Sequence, residues 1–448
     1  MHEVPPAILI IVGISGDLAQ RKLLPAIRQI ALAGALPHKF RIVGISRQAR
    51  TAKGIAPNDA LLEDMLDMFQ MDVADAGEYQ RLSEYLNHIE QAFGEPVQRL
   101  FYVSVPPQVS QPIVTHLGTS GLAAHPRTKL LLEKPFGVDM TSAETLVRGI
   151  RAHFAEDQVY RIDHYLAKEM VQNMIVFRQS NALFRRTWNK DFIERIEIIA
   201  SEAIGIEGRA TFYEQTGALR DVVQSHLLQL AAVTLMDAPA AENWPAIPQE
   251  RLRALQQLRL APGAVTDAVI RGQYHSYKTE VANPHSAVET FVSLTLESTD
   301  PAWRGVPITL VTGKALHRKT TEVRLQYRDS DTNEANRLVL HIQPDEGAEI
   351  DLWTKEPGYE HKRKRHSLHF SYGEHYTTLP EAYERVLVDA MRSDHSLFTS
   401  SDEVLASWRI LAPVQAAWDM SSDDLITYET GADPLSMTQG SHASTNRP

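Results

Sequence analysis

The segment Arg161-Ile-Asp-His-Tyr-Leu-Ala-Lys-Glu169 sets a carboxylate, an imidazole, a phenol and an amine within the short span Asp163 to Lys168. The apolar spacing from Leu166 to Gln179 predicts an amphipathic helix. If that helix starts near Asp163, His164 and Lys168 fall at i and i+4 on its first turn. Two cationic groups beside a helix N-terminus suit an anion, because free N–H groups and the helix dipole both favour negative charge. A capped surface helix with a solvated charge pair reads equally well from this segment alone. A second acid–imidazole pair stands in Arg220-Asp221-Val-Val-Gln-Ser-His226, at the start of another apolar helix. A lone histidine in such a helix is most often a core residue. A hydride-transfer enzyme acting on an alcohol, however, needs a base for the hydroxyl proton, and an imidazole with a carboxylate partner titrates in the right range. Lys314 and Lys319, in Gly313-Lys-Ala-Leu-His-Arg-Lys319, add positive charge for an anionic substrate or are plain surface residues.

These groups are positioned by two different rhythms. Ala7-Ile-Leu-Ile-Ile-Val-Gly13 reads as a strand buried on both faces, as parallel strands are. Gly13-Ile-Ser-Gly16-Asp17-Leu18 and a helical pattern follow it. A strand, a glycine turn and a helix form a phosphate cradle, although Gly-x-x-Gly-Asp matches the usual dinucleotide fingerprint only in part. The strand Phe40–Ile45 ends in Ser46-Arg47-Gln48. Folds that prefer NAD place an acid at this strand end, against the ribose 2′-hydroxyl; Arg47 suits a 2′-phosphate and so NADP. Helices within Asp59–Gln70, Gly77–Gln91 and Gln108–Ser120, with strands Leu100–Val105 and Lys129–Glu133, complete a doubly wound pattern. Two strands end at prolines, in Ser104-Val-Pro106-Pro107 and Glu133-Lys134-Pro135, where open α/β sheets bind ligands; the Lys134–Pro135 bond is a candidate cis peptide. Beyond Leu166, helices over Asp221–Met236, Leu379–Met391 and Ser401–Trp418 frame strands Thr290–Leu296, Ile308–Thr312, Glu322–Tyr327 and Leu338–Gln343.

The expected architecture is therefore α/β plus α+β. An N-terminal Rossmann-like, doubly wound parallel sheet occupies residues 1–163. A C-terminal domain with a large, mainly antiparallel sheet and helices occupies 164–430, and the polar 431–448 tail is expected to be disordered. The 448 residues are ample for two cores. A net charge of −11 argues against general nucleic-acid affinity. The basic run His361-Lys-Arg-Lys-Arg-His366 reads as a solvated loop or strand edge. Zero cysteines exclude disulfides, thiolate nucleophiles and cysteine-ligated zinc. The 18 histidines show no metal-ligand spacing, so no metal is expected. The apolar run near the N-terminus is too short to span a bilayer and lacks signal-peptide features. A cytoplasmic protein without membrane partners is expected.

Further segments, in order along nearly the whole chain, carry a family likeness: GISGDLAQRKLLPAI (13–27), FYVSVPP (101–107), EKPFG (133–137), RIDHYLAKEMVQNM (161–174), WNKDFIERIEI (188–198), IEGR (206–209), RDVVQSHLLQ (220–229), GKAL (313–316), EVRLQY (322–327), IQPDE (342–346) and LPEAYERVLVDAM (379–391). Together they closely resemble the glucose-6-phosphate dehydrogenase family. The resemblance implies oxidation of the C1 hydroxyl of D-glucose 6-phosphate to 6-phospho-D-glucono-1,5-lactone, with hydride passed to NADP or, in some members, NAD, the first step of the pentose phosphate pathway. By matching position it implies His226 as general base and Asp163 as the carboxylate that orients it. His164, Tyr165 and Lys168 match holders of the 6-phosphate. Glu202 and Asp221 match partners of the sugar hydroxyls, Lys314 and Lys319 match substrate-pocket residues, and Lys134 lies between sugar and nicotinamide. Gly13, Ser15, Gly16, Asp17, Leu18 and Pro106 match the cofactor site, with Arg47 at the 2′-phosphate. Gln48 resembles members that accept both cofactors.

The resemblance also implies a homodimer, or a higher homo-oligomer, formed through the large sheet domain. Ala210 and the Arg271-Gly-Gln-Tyr-His segment depart from the family's glycine pattern and bear on loop shape. The chain ends soon after its last helix, so a single cofactor site is expected. Two other readings are a dehydrogenase of the glucose-fructose oxidoreductase type, which would not need the His164, Tyr165 and Lys168 cluster, and a catalytically silent NADP-binding sensor.

Overall fold

The structure is a computed structural model that describes residues 4–240, 243–328 and 335–438. It divides into two compact units, residues 1–167 with 380–404, and residues 168–379 with 405–448. The expected boundary after Asp163 moves to Ala167. The segment 380–404, expected in the second domain, returns to the first. Its helix Ala382–Arg392 buries Val386, Leu387 and Ala390 against Leu100, Tyr102 and Leu131. Val386 and Leu387 each contribute about 1.5–3 kcal/mol when taken from water. That apolar face is what holds the segment there.

The first unit is built on a seven-stranded sheet. Its strands are β1 (Ala7–Val12), β2 (Phe40–Ser46), β3 (Leu66–Gln70), β4 (Gln98–Val103), β5 (Thr128–Leu132) and β6 (Val159–Ile162), with the short strand Phe398–Thr399 at one edge. The spatial order β6-β5-β4-β1-β2-β3 is parallel throughout, and Phe398–Thr399 runs antiparallel to β6. β1 and β4 are neighbours although far apart in sequence, so the order reverses between them. This is the doubly wound arrangement, and its ligand crevice opens at the carboxyl ends of those two strands. β1, β4 and β5 are buried at every position, as the apolar run Ala7–Gly13 predicted for β1.

One expected helix is shorter. Within Asp59–Gln70 the helix covers only Ala60–Met65, with Asp59 accepting the Leu62 N–H at 3.2 Å. Leu66 onward is β3, because its backbone pairs with β2 from Ile42 to Ser46. The five residues Leu66–Gln70 are too few for their periodicity to tell a strand from a helix end.

The second unit carries a ten-stranded sheet. Its strands are β7 (Ile193–Ser201), β8 (Leu258–Leu260), β9 (Val269–Tyr274), β10 (Phe291–Ser298), β11 (Ile308–Gly313), β12 (Thr320–Tyr327), β13 (Arg337–Gln343), β14 (Gly347–Lys355), β15 (Arg363–Ser371) and the strand Leu425–Tyr428. The order is β15-β14-β13-β12-β7-β11-β10-β9-(Leu425–Tyr428), with β8 paired to β10. Pairings are antiparallel except β7 with β11 and β9 with Leu425–Tyr428. The basic run forms the exposed start of edge strand β15, where charge blunts further pairing. The expected disordered tail is corrected over 431–438. Leu316 bridges Ala432, the His317 N–H donates to Ala432 O at 3.1 Å, and Pro434–Thr438 is helical. The rest of that tail, 439–448, lies outside the described residues. No described helix is long and apolar enough to cross a membrane.

A buried charge network ties β12 to β13. Glu322, with a side chain 2% exposed, accepts the Arg324 Nε–H at 2.8 Å and lies 3.3 Å from His341 Nδ1. Burial works to raise its pKa, but His341 and Arg324 outweigh it and hold the carboxyl at about 2. A depressed acid stabilises the fold above its ordinary value of 4.5 and loses that contribution as pH falls toward about 2. Glu322→Gln is expected to cost roughly 3 kcal/mol near pH 7, with the deficit shrinking as pH falls below 5. Thermal unfolding of both proteins from pH 7 to pH 3 checks this; a deficit constant across that range would refute it.

Candidate functional site

In the first unit, β1 runs into Gly13, which has φ +87°. A Cβ on Gly13 would stand 2.5 Å from the Ser104 carbonyl oxygen, so only glycine fits. Ser104 follows β4 and donates its N–H to Val12 O at 3.0 Å, which closes the two strand ends together. The Gly16 N–H donates to Gly13 O at 2.9 Å, and the chain then enters the π-helical run Ala19–Leu23 and the helix Leu24–Leu32. A glycine turn at the switch point, before a helix start, suits a dinucleotide pyrophosphate. Ser15 and Asp17 are exposed and Leu18 is half-buried. Asp17 pairs with Arg21 at 2.8 Å on the surface. Arg47 and Gln48 stand exposed beyond β2. The Arg47 carbonyl accepts the Gln70 side-chain amide at 3.1 Å, which fixes its backbone and leaves the guanidinium to reach outward. Pro106 is exposed at the start of helix Pro107–Thr119.

The carboxyl ends of β5 and β6 carry the next group. Glu133 follows β5, accepts the Tyr102 hydroxyl and bonds to Tyr383 from the helix Ala382–Arg392. Burial pushes its carboxyl up to about 7 against the pull of Tyr102, Lys134 and Tyr383. Lys134 is half-buried and its bond to Pro135 is cis, as the sequence allowed. Asp163 is 3% exposed directly after β6. Its Oδ1 accepts the Tyr165 N–H at 3.0 Å and its carbonyl accepts the Leu166 N–H at 3.1 Å. These bonds fold Asp163–Lys168 into a turn, and the helix starts only at Glu169. The expected helical placement of His164 and Lys168 is thus corrected: an aspartate that bonds the backbone two residues on favours a turn over a helix. The His164 ring meets Tyr165 edge-on, with centroids 5.0 Å apart, and lies parallel to Tyr383 at 6.4 Å.

In the second unit the helix bearing the acid–imidazole pair starts abruptly. Gly217, at φ +64°, breaks the preceding helix Ala210–Ala218. A Cβ there would lie 2.4 Å from Glu289 Oε1. Buried Glu289 accepts the Leu219 N–H at 2.9 Å, and its backbone carbonyl accepts the Ala218 N–H at 3.0 Å. Residues Leu219–Leu227 then form a π-helical run and continue as the α-helix Leu228–Leu235. Hydrogen bonds from i to i+5 place Asp221 and His226 on the same side. His226 is 3% exposed, and Asp221 is half-buried.

Lys314 follows β11 and is 3% exposed; its ammonium pairs with Glu202, which follows β7. The backbones of the same two segments interlock, with the Glu202 N–H donating to Gly313 O at 3.0 Å and the Leu316 N–H to Glu202 O at 2.9 Å. The Lys314 ammonium also lies 5.7 Å from the Tyr213 ring centre. Burial, then the nearby charges of Asp221, Glu289 and Glu202, raise the Tyr213 phenol well above its ordinary value. Lys314, Glu202, Asp221 and Tyr213 therefore form one cluster, a cation among acceptors suited to a polyhydroxylated ligand. Lys319 is exposed and lines a separate cavity of about 400 Å³ with Gln343 and Glu346. Lys168 stands 3.8 Å from Glu346.

Glu133, Tyr383, Tyr213, Glu289 and Glu346 were not singled out in the sequence. Glu133, Glu346 and Tyr383 sit inside matching segments, EKPFG, IQPDE and LPEAYERVLVDAM, so a signal existed for them. Tyr213 and Glu289 lie outside those segments, and their roles arise from packing alone.

Comparison with known proteins follows this geometry closely. Residues 10–173 match the family model described as glucose-6-phosphate dehydrogenase, NAD binding domain, and residues 175–444 match its C-terminal domain. Glucose-6-phosphate 1-dehydrogenase of Bacillus subtilis is 35% identical over 466 residues, covering 96% of this chain and 95% of its own. The enzyme of Chlamydia muridarum is 35% identical over 462 residues, covering 92% and 90%. A solved glucose-6-phosphate dehydrogenase in complex with its substrate glucose-6-phosphate superposes over 100% of both chains with a TM-score of 0.91 at 28% identity. The glycine cradle at the strand crossover, the Asp163 turn and the Glu202–Lys314 pair are therefore features of a chain that belongs to the glucose-6-phosphate dehydrogenase family.

Proposed function

We propose that this chain oxidises the C1 hydroxyl of D-glucose 6-phosphate to 6-phospho-D-glucono-1,5-lactone, with NADP as hydride acceptor and NAD as an alternative. Family membership supplies the reaction. On this chain the Lys314 ammonium held among Glu202, Asp221 and Tyr213 carries the reading, since it offers charge and acceptors to a sugar. His226 takes the hydroxyl proton from O1, and Asp163 is the carboxylate that orients the imidazole and stabilises its protonated form. The nicotinamide, when bound, accepts the hydride that leaves C1. Glu202 and Asp221 receive sugar hydroxyls; His164, Tyr165 and Lys168 hold the phosphate; Lys314, Lys319 and Lys134 add positive charge around the substrate.

Gly13, Ser15, Gly16, Asp17, Leu18 and Pro106 form the cofactor site. Arg47 engages a 2′-phosphate, with Gln48 leaving NAD acceptable. The reaction needs no metal. A silent sensor would have no use for a buried imidazole with its acid, and a free-sugar dehydrogenase none for the phosphate cluster.

The enzyme acts as a homodimer or higher homo-oligomer through the large sheet. Leu352 and Leu368, 38% and 61% exposed, lie on one face of the β14–β15 edge and suit a second copy. We place it in the cytoplasm, where its phosphorylated sugar and cofactor are found.

Two substitutions test the assignment. His226→Asn is expected to lower kcat by a factor of about 10² or more while the KM for glucose 6-phosphate holds. Steady-state kinetics checks it, and a raised KM with an unchanged kcat would remove His226 as the base. Arg47→Ala is expected to move the ratio of kcat/KM for NADP over NAD toward NAD by about tenfold, the scale of one charged phosphate contact. An unaltered ratio would refute the contact.

A further inference from the structure

We propose that Glu346 is a positioning residue that presents Lys168 to the substrate phosphate; this rests on the reading of Lys168 as a phosphate holder given above. Lys168 is the last residue before the helix Glu169–Ser180. Its carbonyl accepts the N–H groups of Val171 at 3.1 Å and Gln172 at 3.2 Å, so its backbone is fixed. Its side chain makes no cap bond to the helix, and a four-carbon stem carries more rotamer freedom than most. Glu346 supplies the missing constraint from the turn between β13 and β14. One carboxylate oxygen, Oε2, accepts the Met170 N–H at 2.7 Å, and the other, Oε1, stands 3.8 Å from the Lys168 ammonium. The carboxylate is itself held: its side chain is 9% exposed, and its backbone carbonyl accepts the Tyr372 N–H at 3.0 Å.

The two oxygens divide the work. The helix N–H locks the plane of the carboxylate, and the locked plane aims Oε1 at the lysine. A pair at 3.8 Å in a partly solvated place is a guide more than a clamp. An ammonium has three donors, so Lys168 keeps donors for a phosphate oxygen while Glu346 limits where it can swing. Glu346 also lines the cavity that Lys319 lines, so it stands beside a second expected substrate lysine.

Glu346→Gln separates this role from simple capping. The glutamine oxygen can still accept the Met170 N–H, which turns the amide NH2 toward the Lys168 ammonium and sets donor against donor. The expected result is a KM for glucose 6-phosphate raised about fivefold, kcat within about twofold and an unchanged melting temperature, the coupling range of residues in contact. In the Lys168→Ala background the same substitution should leave KM where Lys168→Ala alone puts it. Turnover of free glucose, which has no phosphate to hold, should not respond to Glu346→Gln. Glu346→Ala, which also removes the cap, should lower the melting temperature as well. The proposal is overturned if Glu346→Gln leaves the KM for glucose 6-phosphate unchanged, or raises it by the same factor with and without Lys168, or affects free glucose equally. If Lys168→Ala alone leaves that KM unchanged, the phosphate-holding reading of Lys168 fails first and takes this inference with it.

Discussion

Two helical runs of this protein begin where their own sequence offers no side-chain cap, and carboxylates far away in sequence finish them. The first N–H groups of a helix have no partner inside it and are costly to bury unmet. Glu289 meets the Leu219 N–H at the start of the run that carries Asp221 and His226, although 70 positions separate them. Glu346 meets the Met170 N–H behind Lys168 across 176 positions. Glu156 meets the Ser401 N–H across 245 positions and bonds Arg161, whose neighbour but one is Asp163. The first two contacts each fix the start of a helical run beside a candidate functional group.

The same constraint explains the irregular backbone nearby. Gly217 turns to a positive φ where the Glu289 carboxylate reaches the Leu219 N–H, and any side chain on Gly217 would collide with that carboxylate. At the crossover of the first sheet, Gly13 lets the chain pass beside the Ser104 carbonyl. Glycine serves in one place to admit a protein acid and in the other to let two strand ends approach. Lys314 follows the same economy: a nearly buried ammonium needs a counter-charge, and Glu202 provides one whose backbone is laced to the residues on either side of it.

Much of the fold was legible in local pattern. The apolar run of β1 marked a strand covered on both faces, and the strand–helix alternation after it marked a doubly wound parallel sheet. Successive strand-like segments from Thr290 to Gln343, with few helices between them, marked an antiparallel sheet. What misled was local ambiguity. Leu66–Gln70 has the composition of a helix end, yet it pairs with β2. Asp163–Lys168 has the spacing of a first helical turn, yet the Asp163 carboxylate bonds the Tyr165 N–H and makes a turn instead. Helix Ala382–Arg392 is as amphipathic as any in the second unit, and nothing in its sequence says that its apolar face belongs to the first.

The sequence by itself determined the chemistry available: which residues are acids, bases and glycines, their order, and the segments that carry the family likeness. Those depend on composition and short spacing, which survive without folding. Only the tertiary structure decided which acid meets which backbone N–H, because Glu289, Glu346 and Glu156 reach their partners across spans that no periodicity records. Burial gives those distant choices their force, since a donor or a charge removed from water must find its partner wherever the fold brings one.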